Sequence, residues 1–388
     1  SYYLNKYMSY LLDISTAVPD FSATKEELVA FYAKSLEFEG IPNISKKLRL
    51  LCEKTKIHNR NSCVPDFNNK TYELYEAGNC QQSVENRMVV FKQKAMPLAI
   101  KAIDPLLLKN AIPSQDITHL ITVSCTGLFS PGLEFLIAEQ YELQHTEKVA
   151  LNFLGCYAAI KALKHAHYIA QSNPDACILI VCVELCTLHF YPSSSDEDIL
   201  ANLLFADGAA ASIVCGNDNK HLKNKVVLNI DAIGSVYIPN TLDLMTWDIS
   251  SSAFRMYLSK HIVKTIKENI APVVTDFLKD CAEDITYWAI HPGGIKIVEA
   301  VKDSLHLSDS NVEDSIEVLQ QYGNMSSPTV LFIIEKILHK IKNSEGKKDK
   351  QLFACAFGPG LSIEMIQFTS VDNTIQPIKS SVKYAIEH

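Results

Sequence analysis

This sequence of 388 residues lacks any apolar run of the length a membrane span needs, and it has no charged leader followed by a cleavable apolar core. No membrane is therefore expected to be involved, and a cytoplasmic protein is the default. The chain also lacks CxxC pairs and Cys/His sets at zinc spacing, so no metal site is expected. Its eleven cysteines are odd in number and scattered, which suggests a reducing compartment rather than a disulfide scaffold. Positive charge is not in excess: 36 Lys and Arg stand against 44 Asp and Glu, a formal net charge of −8. That balance argues against a general nucleic-acid binder but leaves room for a local basic patch facing a phosphorylated ligand. An initiator Met is missing too, and the chain that opens at Ser1 is expected to be a domain cut from something longer.

What is present is a soluble globular composition, 47% hydrophobic and 21% charged, long enough for a two-lobed fold with a large core. The organising stretch is Ala150 to His165, ALNFLGCYAAIKALKH. Its apolar run ends in a Gly-Cys turn, after which apolar residues recur every three or four positions, so it reads as strand, sharp turn, helix. Cys156 then sits at a helix start, where free N–H groups and the helix dipole favour thiolate, while Gly155 lets a substrate carbonyl approach the sulfur. The two readings of Cys156 are a nucleophile and a small buried core residue.

Along the chain, Tyr10 to Ile14 reads as a strand, and Thr24 with Glu27 forms a capping box for a helix to about Glu37. Lys46 to Lys56 reads as a cationic helix, either a solvated face or a phosphate site. Asn59 to Gly78 is turn-rich, and Ser83 to Lys109 is helical with Pro97 expected to kink it. A buried strand over Asp116–Cys125 precedes a helix from about Pro131 to Leu143. The strand Cys177–Glu184 follows the Cys156 unit, then come a polar loop, Tyr191–Asp198, and a charged hinge, Gly216–Lys225.

The second half repeats the first. Asp116-Ile-Thr recurs 168 residues later as Asp284-Ile-Thr, and the same step from Cys156 lands on Asn324 in Tyr322-Gly-Asn-Met-Ser-Ser. Each Gly-led turn runs into an apolar helix, and the second helix (Val330 to Leu338) is followed by a basic loop and a last strand, Leu352–Phe357. Two pseudo-symmetric halves, 1–220 and 221–388, are expected to pack their sheets around a shared layer of helices and to bring equivalent turns face to face. Cys156 and Asn324 should therefore meet, and His291-Pro-Gly-Gly294 places an imidazole at the same seam. A sulfur acylated beside two hydrogen-bond donors serves either hydrolysis or decarboxylative carbon–carbon condensation. A papain-like hydrolase lacks support, because its Cys-Gly-[Ser/Ala]-Cys-[Trp/Tyr] neighbourhood is absent. A non-catalytic binding scaffold also remains a reading.

Leu154-Gly-Cys156, Leu204-Phe-Ala-Asp-Gly-Ala-Ala-Ala211, Ile290-His-Pro-Gly-Gly294, Tyr322-Gly-Asn-Met-Ser-Ser327 and Phe357-Gly-Pro-Gly-Leu361 together resemble the type III polyketide synthases, the chalcone synthase relatives. The Asn- and Lys-rich composition further resembles the C-terminal domain of a Steely-type hybrid fatty acid/polyketide synthase of a social amoeba. The resemblance implies an α/β, thiolase-like αβαβα fold and a homodimer. It implies an iterative enzyme that loads an acyl starter, fatty acyl by the hybrid likeness, on Cys156. Extension with malonyl-CoA and cyclisation to an aromatic ring or pyrone would follow; a single-round ketoacyl synthase is the alternative enzyme. His291 and Asn324 would promote decarboxylation and hold the oxyanion. Phe205 and Phe254 match the phenylalanines between CoA tunnel and cavity, where an apolar wall favours departure of the malonyl carboxylate as CO2. Cys125, Cys186, His189, Met245 and Ser326 match cavity-shaping positions, and Lys47 and Lys54 match cations at the CoA entrance. Leu50 stands where the family has arginine, which would suit partial delivery by an acyl carrier protein domain of the same polypeptide. No cofactor beyond the thioester substrates, CoA-borne or carrier-borne, is implied.

Overall fold

A computed structural model describes residues 8–75 and 79–374, with the side chains of 280–282 excluded. The end of the turn-rich segment 59–78, the start of the first expected half (1–7) and the end of the second (375–388) lie outside the described residues. In chain order the elements are β1 (Ser9–Ala17), β2 (Phe21–Thr24), α1 (Lys25–Phe38), α2 (Ser45–Thr55), β3 (Asn59–Ser62), α3 (Val84–Asn110), β4 (His119–Ser124), α4 (Leu133–Gln140), β5 (Glu147–Asn152), α5 (Ala158–Ser172) and β6 (Cys177–Leu185). There follow α6 (Asp196–Leu204), β7 (Asp207–Gly216), β8 (Val226–Tyr237), β9 (Met245–Ile249), β10 (Phe254–Leu258), α7 (Ile262–Leu278), β11 (Ile285–Ile290), α8 (Ile295–Ser304), α9 (Asp309–Tyr322), α10 (Thr329–Asn343), β12 (Gln351–Gly358) and β13 (Ser362–Asp372).

The strands form one mixed nine-stranded sheet in the order β11-β12-β13-β8-β1-β7-β6-β4-β5. The sequence predicts two sheets; the structure joins them edge to edge through β1 and β8, which share the pairs Tyr10–Asn229 and Leu11–Leu228. On either side of that seam the order repeats. In both wings a parallel pair (β4 with β6, β11 with β12) is continued by antiparallel β7 or β13. Among the described residues, β5 has no counterpart in the second wing.

Alternation along the strands sorts their side chains into layers. Ile178, Ile180 and Cys182 of β6 and Leu352, Ala354 and Ala356 of β12 point to one face, where α5 and α10 cover both wings in a single core. Leu179, Val181 and Val183 face the other way, onto α1, α3 and α4. Phe353, Cys355 and Phe357 face α7 and α8. Outer helices, sheet wing, central helices, sheet wing and outer helices make the αβαβα arrangement. Burial on both faces explains why β6, CILIVCVEL, is apolar almost throughout. Helix α5 lies in this middle layer because its alanines, 158, 159, 162, 166 and 170, are all buried.

Several elements differ from the sequence reading. The capping box at Thr24 is present, and α2 fills the cationic stretch. The helix α3 continues through Pro97 and Pro105. The turn-rich segment contains β3, α6 begins inside the polar loop at Asp196, and Leu352–Phe357 is not the last strand, since β13 follows. The charged hinge is tied down: Asn219 Nδ2 donates to Asp175 O (2.9 Å), and His221 Nε2 meets Asp116 Oδ2 at 2.8 Å.

One ionic knot joins the layers at the C-terminal ends of α3 and α10. Asp13 on β1 is buried and meets Lys342 (2.8 Å), Lys109 (2.9 Å) and Asn110 Nδ2 (3.0 Å). Burial opposes its charge, but the two lysines and Asn110 outweigh it and hold the carboxyl below its ordinary range. The stabilisation is therefore present above the unfolded value, near 4, and is lost as pH falls through the lower folded value. Asp13→Asn should cost about 2 kcal/mol at pH 7. Urea midpoints of the two proteins should converge as pH drops below about 4; a gap that stays constant to pH 3 would contradict this assignment.

Candidate active site

Three turns meet at the edge of the central layer. The first follows β5. Phe153 takes φ +62° and Gly155 φ +89°, and Ala158 N donates to Gly155 O (3.0 Å) to start α5. A Cβ on Gly155 would stand 2.5 Å from Pro359 Cδ, so glycine is required by contact as well as by backbone conformation. Gly155 N donates to the Cys125 sulfur (2.9 Å), so Cys125 fixes the peptide next to Cys156.

The second turn follows α9. Gly323 (φ +74°) lets Asn324 lie against the Leu204–Ala206 segment: Asn324 N donates to Leu204 O (3.0 Å), and Ala206 N donates to Asn324 O (2.9 Å). This parallel bridge of Asn324 with Phe205 docks the second half onto the first. Ser326 N donates to Asn324 Oδ1 (2.8 Å), which orients the carboxamide with its NH2 outward. The third turn follows β11, where His291 N donates to Cys355 O (2.9 Å). Leu204 links this turn to the second, since a Cβ on Gly294 would lie 4.0 Å from Leu204 Cδ1.

The electrostatics correct one expectation. Burial pushes the Cys156 thiol up to about 11, Ser326 and Asn324 pull it down by hydrogen bonds to the sulfur, and the nearby Glu184 raises it. The helix-start position therefore does not by itself make a thiolate, because desolvation dominates. His291 is fully buried, both ring nitrogens lack a partner, and burial alone drives its pKa down to about 3. An imidazole with two unspent polar atoms in a dry site is costly without a ligand.

Glu184 was not singled out from sequence. It closes the apolar strand β6 and is fully buried, accepting from Cys125 N (2.9 Å), Thr126 Oγ1 (2.7 Å) and Ser327 Oγ (2.6 Å). Burial raises its pKa despite those bonds. A lone acid ending CILIVCVE was the available signal.

A cavity with about 890 Å3 of atom-free space, its open mouth included, lies beside these turns. Phe205, Phe254, Cys125, Cys186, His189 and Ser326 line it, as do Gly155, Trp247 and Arg60; Cys156, His291 and Asn324 are buried and are not part of its lining. Met245 instead packs into the second-half core beside α7. His189 stacks on Phe254 (4.3 Å between centroids, 11° between planes), accepts Phe254 N–H at Nδ1 (3.1 Å) and donates from Nε2 to Thr126 O (2.7 Å). On α2, Lys47 is engaged by Asp196 (2.5 Å) and Ser194 O (2.8 Å), whereas Lys54 and Leu50 are exposed.

A condensing-enzyme fold with a cysteine, a histidine and an asparagine on adjoining turns defines the class. Residues 3–218 match the model described as "Chalcone and stilbene synthases, N-terminal domain", and residues 230–372 match the corresponding C-terminal domain. The chain belongs to this family, and it is an acyl-transferring condensing enzyme of the type III polyketide synthase kind. It is 30% identical over 290 residues to the "Alpha-pyrone synthesis polyketide synthase-like Pks18" of Mycobacterium tuberculosis, covering 74% of this chain and 73% of that one. Among solved structures it resembles PKS-I from the brown alga Ectocarpus siliculosus, with TM-score 0.87, 28% identity and coverage of 94% and 99%. It also resembles the C-terminal type III domain of Steely1, a type I/III hybrid from Dictyostelium, with TM-score 0.83, 25% identity and coverage of 94% and 99%.

Burial holds His189 neutral, with its pKa near 3. A histidine lowered in the folded state stabilises the fold above its unfolded pKa and loses that contribution as pH falls below about 6.5. His189→Gln should therefore flatten the loss of stability between pH 7 and 5 by about 1 kcal/mol per unit. Urea titrations at the two pH values measure this; equal slopes in both proteins would contradict it.

Proposed function

We propose that the chain loads an acyl starter on Cys156 and extends it repeatedly with malonyl-CoA by decarboxylative condensation. It then closes the product to an aromatic ring or pyrone. The observation that supports this best is that the Asn324 carboxamide pulls the Cys156 thiol down, while the His291 ring is buried with both nitrogens left without a partner.

In this reading the Cys156 thiol gives up its proton toward the departing CoA sulfur as its own sulfur attacks the starter thioester. The tetrahedral oxyanion accepts hydrogen bonds from His291 and Asn324, and the CoA thiol leaves with the proton. A malonyl thioester then places its carbonyl oxygen on the same donors. Loss of CO2 leaves an enolate, whose carbon attacks the acyl group and returns the thiolate to Cys156. Phe205 and Phe254 supply the apolar surface against which a carboxylate departs as neutral CO2. Burial favours a neutral imidazole, which suits donation from a ring N–H to that oxyanion.

A fatty acyl starter, a homodimer, and the roles of Cys125, Cys186, His189 and Ser326 in shaping the cavity belong to this proposal. So does delivery partly by a carrier domain of the same polypeptide, for which the exposed Leu50 and the ion-paired Lys47 give support, since both weaken a phosphate site on α2. The chemistry asks for no metal, flavin or nicotinamide. Ten free cysteines among the described residues fit a reducing, cytoplasmic setting. The halves 1–220 and 221–388 would act as bearers of nucleophile and of oxyanion donors.

Mass spectra of products from hexanoyl-CoA and malonyl-CoA test the reading. Several added two-carbon units support it, one added unit supports a single-round synthase instead, and Cys156→Ala should give none. Alkylation by iodoacetamide checks the state of the thiol. Held at about 11, Cys156 should react about tenfold faster per pH unit from 7 to 9; a flat profile over that range would contradict it.

A further inference from the structure

Among the described residues, three charged side chains line the cavity, and two of them answer each other. Arg255 Nη2 lies 3.1 Å from Asp198 at the wall, with its guanidinium 4.5 Å above the Tyr191 ring. The third, Arg60, has no counter-ion. It sits on β3, a short strand whose burial alternates, so that Arg60 and Ser62 turn inward. Only 3% of the residue is exposed. Its Nη2 donates to Thr55 Oγ1 at a long 3.3 Å, the Cys52 thiol on α2 lies against the guanidinium, and Nε and Nη1 are buried with no oxygen or nitrogen acceptor. Its stem packs on the second turn, since a Cβ on Gly323 would lie 3.7 Å from Arg60 Cγ. Burial lowers its pKa to about 10, which leaves it charged at neutral pH.

A buried guanidinium with unspent donors, in the wall of a cavity that Leu28, Phe67 and Phe190 also line, is a site prepared for negative oxygen. We propose that Arg60 is an oxyanion receptor for the acyl chain held in the cavity. This rests on the acyl-condensing reading above. Two parts of such a chain carry the required chemistry. Each condensation leaves a 1,3-dicarbonyl unit, a β-keto thioester first and a 1,3-diketone from the second round on, which loses its central proton to water and becomes an enolate with two oxygens spaced for a guanidinium fork. A starter ending in a carboxylate presents the same fork. Low polarity around Arg60 strengthens either pair.

Heptane-2,4-dione and hexanoate serve as probes, read by enolate absorbance and by the fluorescence of Trp247, which lines the same cavity. Wild type should bind at least one of them about tenfold more tightly than Arg60→Met, with Arg60→Lys between, because a lysine keeps the charge and loses the fork. Preference for the dione assigns the site to the growing chain, and preference for hexanoate assigns it to the starter. Equal binding of both probes by wild type and Arg60→Met overturns the proposal. If Arg60→Met fails to fold, wild type alone decides: a bound dione must ionise at lower pH than free dione, or hexanoate must bind, and absence of both overturns it. Should wild type make no polyketide while the probes still depend on Arg60, the condensing reading falls and the receptor stands.

Discussion

The paired hydrogen bonds between the Asn324 backbone and the Leu204–Ala206 segment are the junction on which the rest of the site depends. They are few, and they cross between halves more than a hundred residues apart in sequence. They set the distance between a carboxamide and a sulfur that belong to different wings of one sheet. Gly323 permits them, because a side chain there would press on Leu204 O at 3.1 Å and would strain a backbone at φ +74°. Gly155 plays the matching part in the first half, against Pro359 of the second. Each glycine thus admits a close approach from the opposite half.

Around this junction the protein keeps polar groups in conditions that ordinary cores avoid. The His291 ring has two unpartnered nitrogens, Arg60 has unpartnered N–H groups, and the Glu184 carboxylate is fully buried. Phe153 and Ser326 hold positive φ, each at a cost of about 1 kcal/mol. The Asp13 knot, the Glu364–Lys164 pair across α5 and β13, and three apolar clusters supply the rigidity that holds them. Glu184 divides its effect: it secures Cys125, Thr126 and Ser327 by hydrogen bonds, and its charge raises the thiol it helps to place.

Much of this was legible in the chain. The 168-residue step from Cys156 to Asn324 followed from two Gly-led turns before apolar helices, and a duplicated fold needs its turns to face each other. The wings of the sheet follow that repeat except at β5. Other features were out of reach. Arg60 sits in a polar, turn-rich segment with no periodicity, and only the fold turns it inward. The joining of the wings at β1 and β8 depends on edge pairing between distant strands, which no local pattern encodes. The thiol's upward shift comes from desolvation, a property of the packed layer rather than of the helix start.

The central claim is that a sulfur, an imidazole and a carboxamide serve one thioester. Release of labelled CO2 from malonyl-CoA by Cys156→Ala and by Cys156→Ala/Asn324→Ala tests it most directly, since decarboxylation needs the oxyanion donors and not the nucleophile. The account predicts that the first variant still releases CO2 without forming any condensed product and that the second falls by about a hundredfold or more. Equal release from both would show that Asn324 does not face the reacting carbonyl and would contradict the account.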